Sequence, residues 1–400
     1  MKAKGLRYNL HFAIGMTLTP LFLISLRRLA FRFVLCVFGV TALGAQAQQA
    51  PGIAAKAYLL VDLQSGRVLA NKRADERVEP ASLTKLMTAY VVFNALKQKQ
   101  ITGTQAVTPS VVAWKTSGSR MFIEPDKPVT VDELLRGMIV QSGNDASVAL
   151  AETVGGDEAG FAVLMNREAQ RLGLKGTKFM NATGLPHEQH YSTASDLATL
   201  ASAVIRDFPE HYALYSMREY TYNDITQPNR NLLLGKDPYV DGVKTGFTEN
   251  AGYCLIASAV RETRRLLAVV LGTTSETARA IEAQKLLNHG FIAFENVRLY
   301  PSQTPVSKVQ VWKGSSREVE IGFADDYFVT IPRGQKDQLK AQIESVQPLI
   351  APLSAGQPVG RMKLALAGKP FGERDLVALT NVSIANVFVR AWDSLRLKFK

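Results

Sequence analysis

The order in which strand and helix patterns alternate over the first three hundred residues constrains this chain most. Apolar Tyr58–Leu63 and Val68–Ala70 flank a turn at Gln64-Ser65-Gly66-Arg67, which is the pattern of a β-hairpin. Helical spacing follows. Pro80-Ala81-Ser82 opens a helix in which Leu83, Leu86, Met87, Tyr90, Val91 and Leu96 recur on one face to about Lys97. Thr130-Val131-Asp132-Glu133 reads as a capping box ahead of Leu134, Leu135, Met138 and Ile139. More helix is predicted over 149–154 and 161–172, with Gly173 as its stop. Strand patterns then return at 244–247, 252–260 and 266–271, the last two joined by a charged turn at 261–264, before a helix from about 275 to 288. Strands on either side of a helical middle predict an α/β (α+β) fold, a sheet with helices packed on it.

Beyond about Val297 the pattern changes. The alternations Val309/Val311, Val319/Ile321/Phe323, Val329/Ile331 and Met362/Leu364/Leu366, punctuated by Pro and Gly, predict a small, antiparallel, all-β C-terminal domain. At the end, Ile384, Phe388, Ala391, Trp392, Leu395 and Phe399 fall on one helical stripe, with Arg390, Arg396, Lys398 and Lys400 for charge. A terminal amphipathic helix over 381–400 can lie in the headgroup layer of an anionic membrane. The competing reading is a helix docked on the protein's own surface.

The N-terminus reads as an address. Residues 1–47 hold six basic residues and no acidic one, then an apolar run from Phe33 to Leu43, then Ala45-Gln46-Ala47. That order is a secretory signal peptide, with the run too short to cross a bilayer comfortably. An initiation at Met16 accounts for its length, and an uncleaved anchor is the rival reading. The chain carries 47 basic and 35 acidic residues, a net charge of +12, but setting the leader aside leaves only about +6. Half of the excess is therefore targeting, and no nucleic-acid partner is expected. The two cysteines, Cys36 in the leader and Cys254 in an apolar run, exclude a disulfide framework and thiolate-rich metal sites. Four domains are expected: signal 1–47, catalytic 48–296, all-β 297–380 and helix 381–400.

Much familiar chemistry is absent. There is no G-x-S-x-G elbow, no H-E-x-x-H and no phosphate-cradling G-x-x-x-x-G-K-[ST]. His187 and His190 lie in a Pro/Gly-punctuated loop and are read as ordinary loop histidines, so neither a metal nor another cofactor is expected.

Three short segments remain: Ser82-Leu83-Thr84-Lys85, Ser142-Gly143-Asn144 and Lys244-Thr245-Gly246. Each alone has a bland reading as a helix cap, a polar loop pair or a strand-edge turn. Together they make chemical sense. Three residues along a helix return to the same face, so the Lys85 amine can reach the Ser82 hydroxyl. That hydroxyl is a poor nucleophile until a base takes its proton, and lysine serves only if burial or a nearby cation lowers its pKa. Lys244 is the candidate second cation. Lys244 and Thr245 suit a strand edge holding a carboxylate, and Gly246 leaves room for substrate backbone. Ser142 can relay a proton to a leaving amine, and Asn144 can hold an amide.

The set resembles the serine penicillin-binding protein and β-lactamase superfamily, whose motifs are S-x-x-K, S-x-N and K-T-G. Within it, the chain from about Ala54 to Lys400 is similar to low-molecular-mass D-alanyl-D-alanine carboxypeptidases. The resemblance rests on Glu79-Pro80-Ala81-Ser82-Leu83-Thr84-Lys85-Leu86-Met87, Ser142-Gly143-Asn144-Asp145-Ala146, Asp241-Gly242-Val243-Lys244-Thr245-Gly246 and Thr330-Ile331-Pro332-Arg333-Gly334. It implies an antiparallel sheet with helices on both sides and an inserted helical subdomain. It implies removal of the terminal D-Ala from peptidoglycan stem peptides ending in D-Ala-D-Ala, through an acyl-enzyme on Ser82, with β-lactams as covalent inhibitors. Lys85 would be the base, Ser142 and Asn144 the relay and amide contacts, Lys244 and Thr245 the carboxylate contacts. The Ser82 and Phe247 backbone N–H groups would form the oxyanion hole. Arg279 corresponds to a family arginine facing the substrate carboxylate, with a solvated helix arginine as the alternative. Some relatives carry His where this chain has Phe247; Thr248 remains as a nearby hydroxyl. The expected location is the periplasmic face of the inner membrane, held peripherally by the C-terminal helix.

Three rivals share features. A class A β-lactamase needs an E-x-x-L-N segment, and Glu168-Ala169-Gln170-Arg171-Leu172 lacks that pattern. A D,D-endopeptidase shares the motifs but usually not the C-terminal module. A non-catalytic β-lactam- or wall-binding module has no use for an intact Ser82/Lys85/Lys244 set.

Overall fold

The computed structural model describes residues 51–399, so the signal-peptide reading of 1–47 lies outside the described residues. The described chain forms two compact units, one of residues 51–297 with 328–333, the other of 298–327 with 334–399.

In the first unit a five-stranded antiparallel sheet is built from β1 (Ala57–Asp62), β2 (Val68–Lys72), β3 (Val240–Thr248), β4 (Gly252–Arg261) and β5 (Arg264–Thr273). Its order is β2-β1-β5-β4-β3, so the two ends of the unit's sequence meet through the β1–β5 pair, with Leu59 opposite Val269. Both faces are buried, and side chains alternate between two cores as a strand's period of two requires. Leu255, Ala257, Leu266, Ala268 and Val270 share one core with Leu286 and Leu287 of α6 (Glu276–Ala293). Cys254, Ile256, Leu267, Val269 and Leu271 share the other with the helical middle: α1 (Lys85–Lys97), α2 (Val131–Val140), α3 (Asn144–Gly155), α4 (Glu158–Arg171) and α5 (Ala194–Asp207). This is the expected sheet with helices on both sides. The predicted capping box is present, with Thr130 and Glu133 satisfying each other's backbone donors at the start of α2. The α5 helix falls where the sequence reading names no element.

The second unit is all-β. Its six-stranded sheet runs Leu339–Ser345, Pro358–Leu366, Lys369–Ala378, Glu318–Gly322, Ser307–Trp312 and Leu349–Ile350. The alternating Val309, Val311, Val319, Ile321, Met362, Leu364 and Leu366 are all buried. Two features differ from the sequence reading. The Val329/Ile331 alternation, read with the all-β domain, lies in 328–333, which groups with the first unit. There Arg333 donates to the carbonyls of Phe291 and Ile292, and its N–H to that of Ala293, satisfying the carbonyl end of α6. The terminal helix is Val387–Lys398, capped by Asn386. Val382 and Ile384 instead form bridges to Leu353 and Gly314 of the β unit, so Ile384 is not part of the helical stripe.

Candidate active site

The first unit brings the three motifs to one cleft, of about 270 Å³, lined by Ser82, Ser142, Asn144, Thr245, Gly246, Phe247, Thr248 and Arg279 among others. Ser82 lies in a single 3-10 turn, Ala81–Thr84, that leads into α1. Its hydroxyl caps neither the turn nor the helix. Lys85 opens α1 and is 1% exposed. Its Nζ lies 2.9 Å from Ser82 Oγ, 2.7 Å from Asn144 Oδ1 and 2.7 Å from the Thr183 carbonyl oxygen.

Those distances define the protonation state that is useful. A neutral amine has two hydrogens and one lone pair. Asn144 Oδ1 and the Thr183 carbonyl take the two hydrogens, which leaves the lone pair for the Ser82 O–H. The Asn144 amide cannot turn to spoil this, because its Nδ2 donates to the Ser117 carbonyl at 2.6 Å. Burial first, then the Arg230 cation, push the Lys85 amine down to about 7, against an opposing pull from Asp145. The sequence reading makes Lys244 the candidate second cation; Arg230, on the cleft's lining, is the cation that lowers Lys85, and Lys244, repelled by Lys85, is itself lowered.

Ser142 occupies the sharp joint between α2 and α3, with φ +70° in the left-handed region. Such a backbone costs on the order of 1 kcal/mol for a residue with a Cβ and persists only where its surroundings fix it. Here the Gly143 N–H donates to Gly137 and the Asn144 N–H to Ser119. Buried Asp145 adds a clamp, its carboxylate accepting from the backbone N–H groups of Met121, Phe122 and Ile123. The reward is an inward Ser142 hydroxyl, 2.9 Å from Lys244 Nζ. Burial, and then Lys85, Arg230 and Arg279, hold the Lys244 amine well below the usual lysine range.

Lys244, Thr245 and Gly246 lie on β3, the edge strand of the sheet, beside the Ser82 turn. A glycine at 246 eases that proximity, since any Cβ would make its neighbours give by a few tenths of an ångström. A Cβ there would stand 3.2 Å from the Pro80 carbonyl and from Ala81 Cβ, and 3.3 Å from Leu83 Cγ. Phe247 is half exposed and lies against Tyr253, ring centroids 4.3 Å apart. The Thr248 hydroxyl donates to Glu79. Arg279 is 2% exposed, not a solvated helix arginine; its guanidinium lies against the Gly246 and Arg230 carbonyls and Glu276.

A family model described as D-alanyl-D-alanine carboxypeptidase matches residues 44–275. The chain belongs to this family. A second model, the C-terminal domain of penicillin-binding protein 5, matches residues 294–383 of this carboxypeptidase. Among curated proteins it is 45% identical over 375 residues to D-alanyl-D-alanine carboxypeptidase DacC of Escherichia coli K12, covering 91% of this chain and 94% of the relative. It is 42% identical to DacA of Haemophilus influenzae, covering 88% and 91%. Penicillin-binding protein 5 from Haemophilus influenzae superposes with a TM-score of 0.81 at 42% identity, over 84% of this chain and all but 1% of that one. Penicillin-binding protein D2 from Listeria monocytogenes, solved in an ampicillin-bound form, superposes with a TM-score of 0.57 at 30% identity, over 61% of this chain and all of that one. The family expected from the three motifs is thus the one to which the chain belongs, and the fold is the expected one.

Several cleft residues of the carboxypeptidase have no signature in the sequence. Thr183 contributes a carbonyl, for which any residue type would serve. Arg230 resembles every other surface arginine until the fold aims it. Gly184, at φ +83°, approaches so closely that a Cβ would fall 1.8 Å from the Ala81 carbonyl oxygen. His190, read as a loop histidine, is buried and bonds the Thr84 hydroxyl at 2.9 Å; burial and the neighbouring His187 push it down to about 4. It therefore braces the 180–190 loop as a neutral ring. Cys254 is buried as expected, its thiol pushed up to about 11 by desolvation.

Proposed function

We propose that this penicillin-binding D-alanyl-D-alanine carboxypeptidase acts through Ser82 as nucleophile and Lys85 as base on peptidoglycan stems ending in D-Ala-D-Ala. The observation that carries the reading is the buried Lys85 amine, 2.9 Å from Ser82 Oγ and lowered to about 7. Ser82 Oγ attacks the penultimate D-Ala carbonyl carbon while its proton passes to Lys85 Nζ. The backbone N–H groups of Ser82 and Phe247 receive the oxyanion. The C–N bond then breaks as the proton taken up by Lys85 passes, through the Ser142 hydroxyl beside Lys244, to the leaving amine, which leaves Lys85 neutral again. Water, deprotonated by Lys85, attacks the ester carbonyl, and as the C–Oγ bond breaks Lys85 returns that proton to Ser82 Oγ. Lys244, Thr245 and Arg279 supply charge and hydrogen bonds for the terminal carboxylate, and Asn144 holds the substrate amide. Gly246 leaves the strand edge open to the substrate backbone, and Phe247 and Thr248 line it. β-Lactams enter by the same attack, the ring amide bond opening in place of the peptide.

Export is supported by the leader pattern of 1–47, and a peripheral place on the periplasmic face of the inner membrane by the exposed terminal helix. Its Val387, Phe388, Trp392 and Phe399 are each at least 60% exposed.

Mass spectrometry of the protein after benzylpenicillin treatment tests the central claim. The added mass should map to the peptide holding Ser82, and Ser82→Ala should abolish both the adduct and D-Ala release from a pentapeptide. An adduct on another residue, or undiminished release by the variant, would overturn it.

A further inference from the structure

The two N–H groups assigned to the oxyanion, those of Ser82 and Phe247, belong to segments that are far apart in the chain. Ser82 lies in the turn before α1 and Phe247 near the end of β3. Because β3 is the edge of its sheet, no further strand fixes its open side.

One side chain ties the two segments together. Glu79 is half-buried; one of its carboxylate oxygens accepts from the Thr248 hydroxyl and the other from the Asn250 amide, each at 3.0 Å. These donors stand at the end of β3 and in the turn after it, 169 and 171 residues along the chain. Among the described residues no other hydrogen bond joins 79–85 to 244–251. The sense of the Thr248 bond is fixed as well. Its oxygen accepts from the Ala251 N–H at 3.0 Å, which leaves its hydrogen for Glu79. Two convergent donors are what a carboxylate, which only accepts, can satisfy.

Both ends of this tie are stiff. Glu79 stands three residues before Ser82, and the residues between leave little play. Pro80 has φ −75°, and Ala81 follows in the left-handed region at φ +48°. The Leu83 N–H donates to the Pro80 carbonyl at 3.1 Å and closes the turn that carries Ser82. Val78 is bridged to Ser192, which holds this segment toward α5 but not toward β3. On the other side Thr248 follows Phe247 directly, and the two pair with Gly252 and Tyr253 of β4.

We propose that Glu79 is a positioning residue whose carboxylate clamps the end of β3 to the Ser82 turn and so sets the gap between the Ser82 and Phe247 N–H groups. This rests on the carboxypeptidase reading above. Glu79 does not itself line the cleft, so it acts through those two backbone groups. An oxyanion donor helps only where the charge develops, so a loosened gap is felt in the transition state and little in the bound substrate.

Glu79→Ala tests this with kcat, KM and a peptide boronic acid, whose tetrahedral adduct on Ser82 puts a boronate oxygen between the two N–H groups. The variant should lose about tenfold in kcat for D-Ala release, with KM within about twofold, and bind the boronic acid about tenfold more weakly. Glu79→Gln keeps an acceptor for Thr248 and should lose about threefold. Thr248→Val removes one donor, and combined with Glu79→Ala it should cost less than the product of the two single losses. If Glu79→Ala does not fold, Glu79→Gln and Thr248→Val decide by the same readouts. A wild-type kcat in the variants, a loss carried by KM, a fall only in the fraction of protein that benzylpenicillin labels, or losses that multiply would each overturn the clamp. Where wild-type Ser82 takes the label, those outcomes sink the clamp alone. Absence of the label there sinks the catalytic reading beneath it.

Discussion

At Lys85 the three neighbours, Ser82 Oγ, Asn144 Oδ1 and the Thr183 carbonyl, suit an ammonium as well as an amine, so it is burial and Arg230 that bring the neutral base within reach. In the neutral form two fixed acceptors consume its hydrogens, and desolvation with Arg230 lowers it to about 7. The sign of the pH effect follows. Below about 7 the amine is an ammonium with no lone pair for Ser82; above it the base is competent. The rate constant for benzylpenicillin acylation should therefore climb about tenfold per pH unit on the acid side and level off above about pH 8. A stopped-flow or labelling profile that is flat from pH 5.5 to 9 would remove Lys85 as the base. The pairing of Ser82 with Lys85 was legible because three residues span one helical turn. The partners that make it work were not, since the Thr183 carbonyl and the Asn144 amide come from sites 98 and 59 residues away.

Among elements, those with strong periodicity and local stop signals are the legible ones: the hairpin of β1 and β2, the capped α2, the β4–β5 pair. The α5 helix was not, although Thr193 caps it by accepting from the Asp196 N–H. Its apolar positions are largely alanine, which marks a buried face only weakly. The terminal helix is amphipathic in sequence and largely uncovered in structure, with no buried residue among its twelve. It touches the β unit through Asp393, which accepts from the Lys313 N–H, and Arg396 over Trp312. Two contacts are a small share of the unit's packing, so the unit should keep its fold without the helix. Removing residues 386–400, and leaving the bridging Val382 and Ile384 in place, should abolish sedimentation with anionic vesicles while D-Ala release stays at the full-length rate. Vesicle binding by the shortened protein would show that the helix is not the anchor.

Across the whole molecule, the units are not simple consecutive blocks, because 328–333 joins residues 51–297. Arg333 there satisfies carbonyls at the end of α6, the helix that also carries Arg279. Arg333→Ala should lower the melting temperature by several degrees, the loss of charge-assisted hydrogen bonds costing about 1–3 kcal/mol, as read by calorimetry. An unchanged melting temperature would show that the returning segment is dispensable. The alternation of Val329 and Ile331 announces a strand, but a period of two is the same whichever sheet or unit receives it.

The sequence by itself determined the local states and the chemistry on offer: hairpin, capped helices, an all-β second unit, and three motifs whose residue types suit acyl transfer. Those follow from spacing and side-chain type, which are local properties. Tertiary structure alone decided which groups meet. It aimed Arg230 at the cleft, turned Ser142 toward Lys244 through a left-handed joint, and placed the Thr183 carbonyl on the Lys85 amine. Burial, distance and electric field depend on residues far apart in the chain, and no short window of sequence contains them.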